Sequence, residues 1–217
     1  MAIELDFAAV LTEWPLLVKG VAWTLGLTAV SAVLGVLLGI GCAWVRTQGP
    51  GWSRPGVAAY VELIRNTPFI VQLFFIFFGL PALGWRLSPE WSSVIAMVIN
   101  LGAYSAEIVR AGIQTTPVGQ IEAAMSLALS RMQTFIWVVL PPALQRVWPA
   151  LVSQIIIVML GSAVCGQIST EELSFAANLI QSRNFRAFEA FIVATAIYLM
   201  LSIATRDRKS TRLNSSH

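Results

Sequence analysis

One histidine and two cysteines in 217 residues leave little from which to build a metal centre or a redox pair. The histidine is His217, at the end of the chain. Cys42 and Cys165 lie far apart inside apolar runs with no Cys-x-x-Cys spacing, so both read as small packing residues. Charge is scarce too: 12% of residues are Asp, Glu, Lys or Arg, against roughly 25% in soluble domains. No Gly-x-x-x-x-Gly-Lys-Ser/Thr run occurs anywhere, so no loop is suited to cradle a nucleotide phosphate. A catalytic cluster within the apolar runs is also missing, because the charges there are few and separated, which argues against a membrane-embedded enzyme.

Apolar residues, by contrast, make up 57% of the chain, the composition of a membrane protein. No apolar run has a short basic head before it and a small-residue cleavage site after it, so the first span is expected to be the anchor itself. The final stretch is set aside: Asp207 to His217, DRKSTRLNSSH, resembles the translation of a sequencing adapter. The alternative is a flexible basic tail. Without its three basic residues and one acidic one, the formal net charge of +3 falls close to neutral, and no preference for nucleic acid remains. Residues 1–206 are then expected to form a single transmembrane domain with a truncated last helix, and 207–217 a non-native tail.

In chain order, Gly20 to Val45 carries no charge and is long enough for span one, since a crossing needs about 20 residues. Its Gly35-x-x-x-Gly39 pair lets helices pack closely, although glycine is common in membrane helices generally. Gly49-Pro50-Gly51 and Arg54-Pro55-Gly56 mark a loop. The stretch Tyr60 to Pro68, YVELIRNTP, is expected to form a short interfacial helix that breaks at Thr67-Pro68, with Thr67 as N-cap, and restarts as span two. Glu62 and Arg65, three apart, are expected to pair. The break serves either structural pinning or gating. Span three begins near Trp91 and reaches Arg110, with Asn100, Tyr104, Glu107 and Ala111 on one inward face. Span four is expected from Val147 to Thr170, with Gln154, Ser162 and Cys165 on one face, used for helix-to-helix hydrogen bonding or for a solute path. Glu171 to Phe188 is polar, and Ala190 to Thr205 supplies span five.

Between spans three and four lies Glu122 to Pro141, EAAMSLALSRMQTFIWVVLP. Glu122, Ser126, Ser130, Arg131 and Gln133 make it too polar for a full lipid crossing, so a surface helix from about Ile121 to Arg131 is expected. Ala123, Ala124 and Ala128 leave its backbone open to close approach, and Leu140-Pro141-Pro142 is expected to end the piece. The segment resembles the EAA loop of ATP-binding cassette importer permeases: Glu122-Ala123-Ala124, Ala128 where the family has glycine, Val138 for isoleucine, and Leu140-Pro141 in register. YVELIRNTPFIVQLFFIFFGLP from Tyr60, YSAEIVRAGIQTTPVG from Tyr104 and LIQSRNFRAFE from Leu179 are similar to the polar amino acid uptake branch of that superfamily. The resemblance covers most of residues 15 to 206.

That resemblance implies a five-span permease of the bacterial cytoplasmic membrane, with a coupling helix between spans three and four. Its expected partners are a second permease chain, two cytoplasmic ATP-binding cassette subunits, an extracytoplasmic solute-binding protein and a polar amino acid. ATP and Mg would sit on the ATPase partner, and this chain would bind no cofactor. Gly119, Glu122, Ala123, Ala124, Ala128, Leu140 and Pro141 are the expected ATPase-coupling residues. Asn66, Thr67, Gln72, Asn100, Gln154 and Ser162 are the candidates for path-lining polar groups. Where many relatives carry Lys-Asp-Thr-Ser-Leu, this chain has Leu160-Gly161-Ser162-Ala163-Val164, which leaves basic, acidic and neutral amino acids all open as substrates. Arginine is more frequent on the side of the EAA segment, which by the positive-inside rule puts that segment and the C-terminus in the cytoplasm and the N-terminus outside. The alternative function is an ion-gradient-driven carrier. Such a carrier calls for paired interrupted helices and an ionisable residue at mid-depth, and neither is evident.

Overall fold

The computed structural model of the protein describes residues 5–207; the remainder of the tail, 208–217, lies outside the described residues. All regular structure among the described residues is helical. A short α1 (Phe7–Leu11) precedes the long α2 (Trp14–Gln48). Then come α3 (Arg54–Arg65), α4 (Phe69–Ala82, π-helical over Phe75–Gly79) and α5 (Pro89–Gln114). After α6 (Val118–Ser126) runs α7 (Arg131–Ile168), and the chain closes with α8 (Leu173–Asn184) and α9 (Ala187–Asp207). The helices α2, α5, α7 and α9 are each long and apolar enough to cross a membrane, and α3 with α4, bent by 111° at their break, make five if counted as one span.

One expected boundary is corrected. Leu140-Pro141-Pro142 does not end a helix: α7 runs through it without interruption. The six residues before it, Thr134–Val139, are π-helical, and the Leu140 N–H reaches back five residues to the Phe135 carbonyl. The wider turn relieves the clash that a proline ring makes with the carbonyl four residues earlier, so the helix tolerates the prolines. The stretch from Glu171 to Phe188, polar in sequence, is largely helical. It holds α8, whose Leu173, Ala176, Ala177 and Ile180 are buried, the i, i+3, i+4, i+7 stripe of an amphipathic helix.

The described residues group into two compact units. One comprises the described part of Met1–Ala29, Leu73–Val94 and the described part of Ile156–His217. Its apolar core is Val10, Leu17, Leu173, Ala177, Ile180, Ala190 and Ala194. The other comprises Val30–Gln72 and Ile95–Ile155, with Ala43, Val109, Ile113, Phe135, Val139, Ala143 and Leu151 at its centre. Lipid is as apolar as leucine, so within a membrane such cores gain little from the hydrophobic effect and depend on close packing. The Gly35 and Gly39 pair is used for that inside this unit: a Cβ at Gly39 would stand 2.5 Å from the Ser105 Cβ, and one at Gly35 2.9 Å from the Leu101 Cβ, both on α5. Cys42 and Cys165 are buried and free, as packing residues should be.

Gly39→Val is therefore expected to force α2 from α5 and lower stability by about 1–3 kcal/mol. At Gly26, where an added Cβ would meet nothing within 4 Å, alanine should be neutral or stabilising by up to about 1 kcal/mol. Thermal unfolding of the two variants in detergent checks the contrast.

Candidate functional site

The helix α6 begins after Pro117, whose φ of −60° and ψ of 135° turn the chain out of α5, and it lasts only nine residues. Its end is a Schellman turn. The Leu129 N–H bonds the Ala124 carbonyl at 3.2 Å and the Ala128 N–H the Met125 carbonyl at 3.0 Å, while Ala128 itself takes φ +59°. A left-handed residue at this position is normally glycine, because a Cβ there approaches the following carbonyl. Two residues on, Ser130 opens α7 with a reciprocal capping box: its side chain accepts from the Gln133 N–H at 3.3 Å, and the Gln133 side chain accepts from the Ser130 N–H at 2.8 Å. The expected helix from Ile121 to Arg131 is thus two helix ends facing across a turn.

This splits the expected coupling residues. Gly119, Glu122, Ala123 and Ala128 are exposed on α6 and its turn. Ala124 faces inward at 4% exposure, and Ile121 packs on the core cluster of Val109, Ile113, Phe135 and Val139. Leu140 and Pro141 lie well inside α7, Leu140 packing on that same cluster. Ala128 shares no helical face with Ala123 and Ala124, since the helix has already ended. Val118 at the start of α6 and Met125 and Leu127 at its end are exposed, Leu127 by 78%, and sequence reasoning had not singled them out.

Of the expected path residues, three come together at the α3–α4 break. The Gln72 Nε2 donates to the Ile64 carbonyl at 2.7 Å, and to the Thr67 carbonyl and hydroxyl at 3.0 Å each. The Asn100 Nδ2 donates to the Gln72 Oε1 at 3.0 Å. Thr67 does not directly precede α4, which begins at Phe69; its hydroxyl donates backward to the Leu63 carbonyl at 2.8 Å and accepts from Gln72 instead of from a first-turn N–H. Together these side chains satisfy the carbonyls that the end of α3 leaves open, which an apolar surrounding requires. Asn66 stands beside them but donates to the Glu62 carbonyl at 2.8 Å. Ser162 is buried and donates to the Met159 carbonyl at 2.6 Å, and Gln154 is half-buried on α7.

Charges cluster in the same unit. The Glu107 carboxylate is shared between Arg46 of α2 and Arg110 of its own helix, the latter at 2.7 Å. Arg65 does not make the expected ion pair with Glu62; its guanidinium lies 5.5 Å from the Tyr104 ring centre. The expected inward face of α5 is thus occupied at Asn100, Tyr104 and Glu107, whereas Ala111 is exposed.

The other unit carries a buried polar group that sequence reasoning passed over. Glu172 has 0% exposure, and its carboxylate accepts from the Ser174 N–H at 2.8 Å, the Phe175 N–H at 2.7 Å and the Tyr198 hydroxyl at 2.5 Å. Burial pushes this carboxyl above its ordinary range, opposed by those three donors. No group of three or more His, Cys, Asp or Glu among the described residues is placed to hold a metal.

Four helices long and apolar enough to cross a membrane, a fifth if the bent pair is one span, and a short capped helix between two long ones define an all-helical protein of membrane type. The chain belongs to the family described as binding-protein-dependent transport system inner membrane component, which it matches over residues 35–207. It is 35% identical over 204 residues to the glutamine transport system permease protein GlnP of Escherichia coli (strain K12), covering 93% of each chain. To the arginine transport system permease protein ArtQ of Bacillus subtilis (strain 168) it is 32% identical over 203 residues, covering 92% of this chain and 91% of that one. A crystal structure of an amino acid ABC transporter with histidines superposes with a TM-score of 0.86 at 34% identity, covering 96% of this chain and 98% of that one.

Ala128→Gly is expected to raise stability by about 0.5–1 kcal/mol, the left-handed strain removed less the entropy that glycine adds to the unfolded chain. Ala128→Val is expected to lower it by more than that. Unfolding midpoints of the two variants in detergent carry the check.

Proposed function

We propose that this chain is the membrane-spanning subunit of an ATP-driven importer of polar amino acids. It pairs with a second permease chain, two cytoplasmic ATPase subunits and an extracytoplasmic solute-binding protein. Nucleotide and Mg act on the ATPase, outside this chain. The observation that carries the proposal is the form of α6: nine residues, fastened inward by Ile121 and Ala124, with Glu122, Ala123, Met125 and Leu127 exposed outward.

The outward face of α6 enters a groove of the ATPase, with Glu122 as a polar anchor and Leu127 as an apolar one. Closure of the ATPase pair then pushes on α6, and the push passes to α5 and α7 through the packed cluster beneath it. Orientation follows from that contact: α6 and the C-terminus lie in the cytoplasm and the N-terminus outside. Solute passes along Asn66, Thr67, Gln72, Asn100, Gln154 and Ser162. The Gln72 and Asn100 amides exchange their mutual hydrogen bond for bonds to an amino acid at little net cost, because each group stays paired. The glutamine and arginine systems among the relatives support an amino acid as solute.

Glu122→Lys is expected to cut uptake into vesicles at least tenfold and to remove the ATPase from the affinity-purified complex. Undiminished uptake by a preparation that contains no ATPase would overturn the proposal.

A further inference from the structure

Glu172 is a costly way to cap a helix. Ser, Thr, Asp and Asn are the usual N-cap residues, and each reaches the first free N–H groups with a shorter side chain. Here a longer carboxylate is buried completely, without Lys or Arg among its hydrogen-bond partners, although one cap bond from a shorter side chain would suffice for α8. Its extra length is used elsewhere. One oxygen meets the Tyr198 hydroxyl on α9 at 2.5 Å. The other lies so close to the α7 backbone that a Cβ at Gly166 would stand 2.7 Å from it.

The segment pressed by that carboxylate has an unusual shape. Ser162–Ile168, the end of α7, is a 3-10 helix of seven residues, whereas such stretches seldom exceed three or four. It stops at Ser169, which takes φ +68°, and the next residue, Thr170, shares a hydrogen bond with Ser93 at 2.8 Å. The Leu173 N–H is bound to the Thr24 hydroxyl of α2 at 3.2 Å. The overwound tail is thus held at its far end by side chains from three other helices. At about 2.0 Å rise per residue against 1.5 Å in an α-helix, relaxation of these seven residues would shorten the tail by roughly 3.5 Å. Ser162, a candidate for the solute path, is its first residue.

We infer that Glu172 and Tyr198 are a positioning pair for transport: their contact holds the 3-10 tail of α7 in its extended form, and it sets how much solute moves for each ATP hydrolysed. The pair acts on the tail at both ends, through the backbone at Gly166 beside the Glu172 carboxylate and through Ser162, with which the Tyr198 hydroxyl also interacts. The inference rests on the importer function proposed above.

Two substitutions separate this role from capping. Glu172→Asp keeps an excellent N-cap but is too short to reach Tyr198, and Tyr198→Phe removes one hydroxyl and leaves the ring in place. In vesicles holding the whole complex with its binding protein, both are expected to lower maximal uptake about fivefold. The concentration for half-maximal uptake and the ATP hydrolysis rate should each stay within twofold, and the double variant should be no worse than either single one. Hydrogen exchange of amides 162–168 in the purified complex should quicken at least tenfold in both. Wild-type uptake per ATP in Glu172→Asp would overturn the inference, as would parallel loss of uptake, hydrolysis and thermal midpoint in Tyr198→Phe. If the wild-type complex moves no amino acid at the expense of ATP, the importer function fails, and unchanged exchange in the two variants would still overturn the positioning pair by itself.

Discussion

Backbone N–H and C=O groups in a hydrocarbon layer have no water to turn to, and that constraint bears on the helix break after α3 and on the end of α7. Wherever a helix stops or changes winding, a particular side chain or turn takes over the freed groups. At the α3–α4 break the Gln72 amide and the Thr67 hydroxyl do so. After α6 the Schellman bonds and the Ser130–Gln133 box close both ends of a four-residue gap. At the end of α7 the Glu172 carboxylate binds the first amides of α8.

The same constraint explains what was legible in the sequence. Long uncharged runs such as Gly20 to Val45 permit only a helix, and α2, α5 and α9 lie where composition puts them. The break before Pro68 was legible because a proline after a polar pair leaves the chain few options. The path candidates Thr67, Gln72 and Asn100 do assemble, although what joins them is helix-end repair, a geometry that side-chain type alone does not specify. Within the coupling segment, Glu122 and Ala123 were legible as an exposed pair, but Ala124 was not separable from them without knowing which side of a nine-residue helix rests on Ile113 and Phe135.

Other features were hidden for physical reasons. Pro141 and Pro142 read as a stop, and only the π-helical turn before them, which has no sequence signature of its own, lets α7 continue. Ala128 concealed a left-handed position, since alanine is a strong helix former. The glycine found there in the resembled loop was the available clue. α8 could have been found from Leu173, Ala176, Ala177 and Ile180, a helical stripe overlooked because Glu171, Glu172, Arg183 and Arg186 marked the segment only as polar. Glu172 was hidden with it, for a buried carboxylate without a cation has no pattern in a linear sequence.

The glycine stripe of α2 has a further implication. Because Gly35 and Gly39 are turned onto α5, the side of α2 left outermost bears Val30, Val33, Leu34 and Leu37. A neighbour there is kept at branched-side-chain distance, about 8–10 Å between axes, and competes with acyl chains of the same polarity. Gly26 and Gly41 stand on the same flank with open space at their Cβ positions, so the branched stretch between them meets lipid as readily as protein, and a closer approach is left to its two ends.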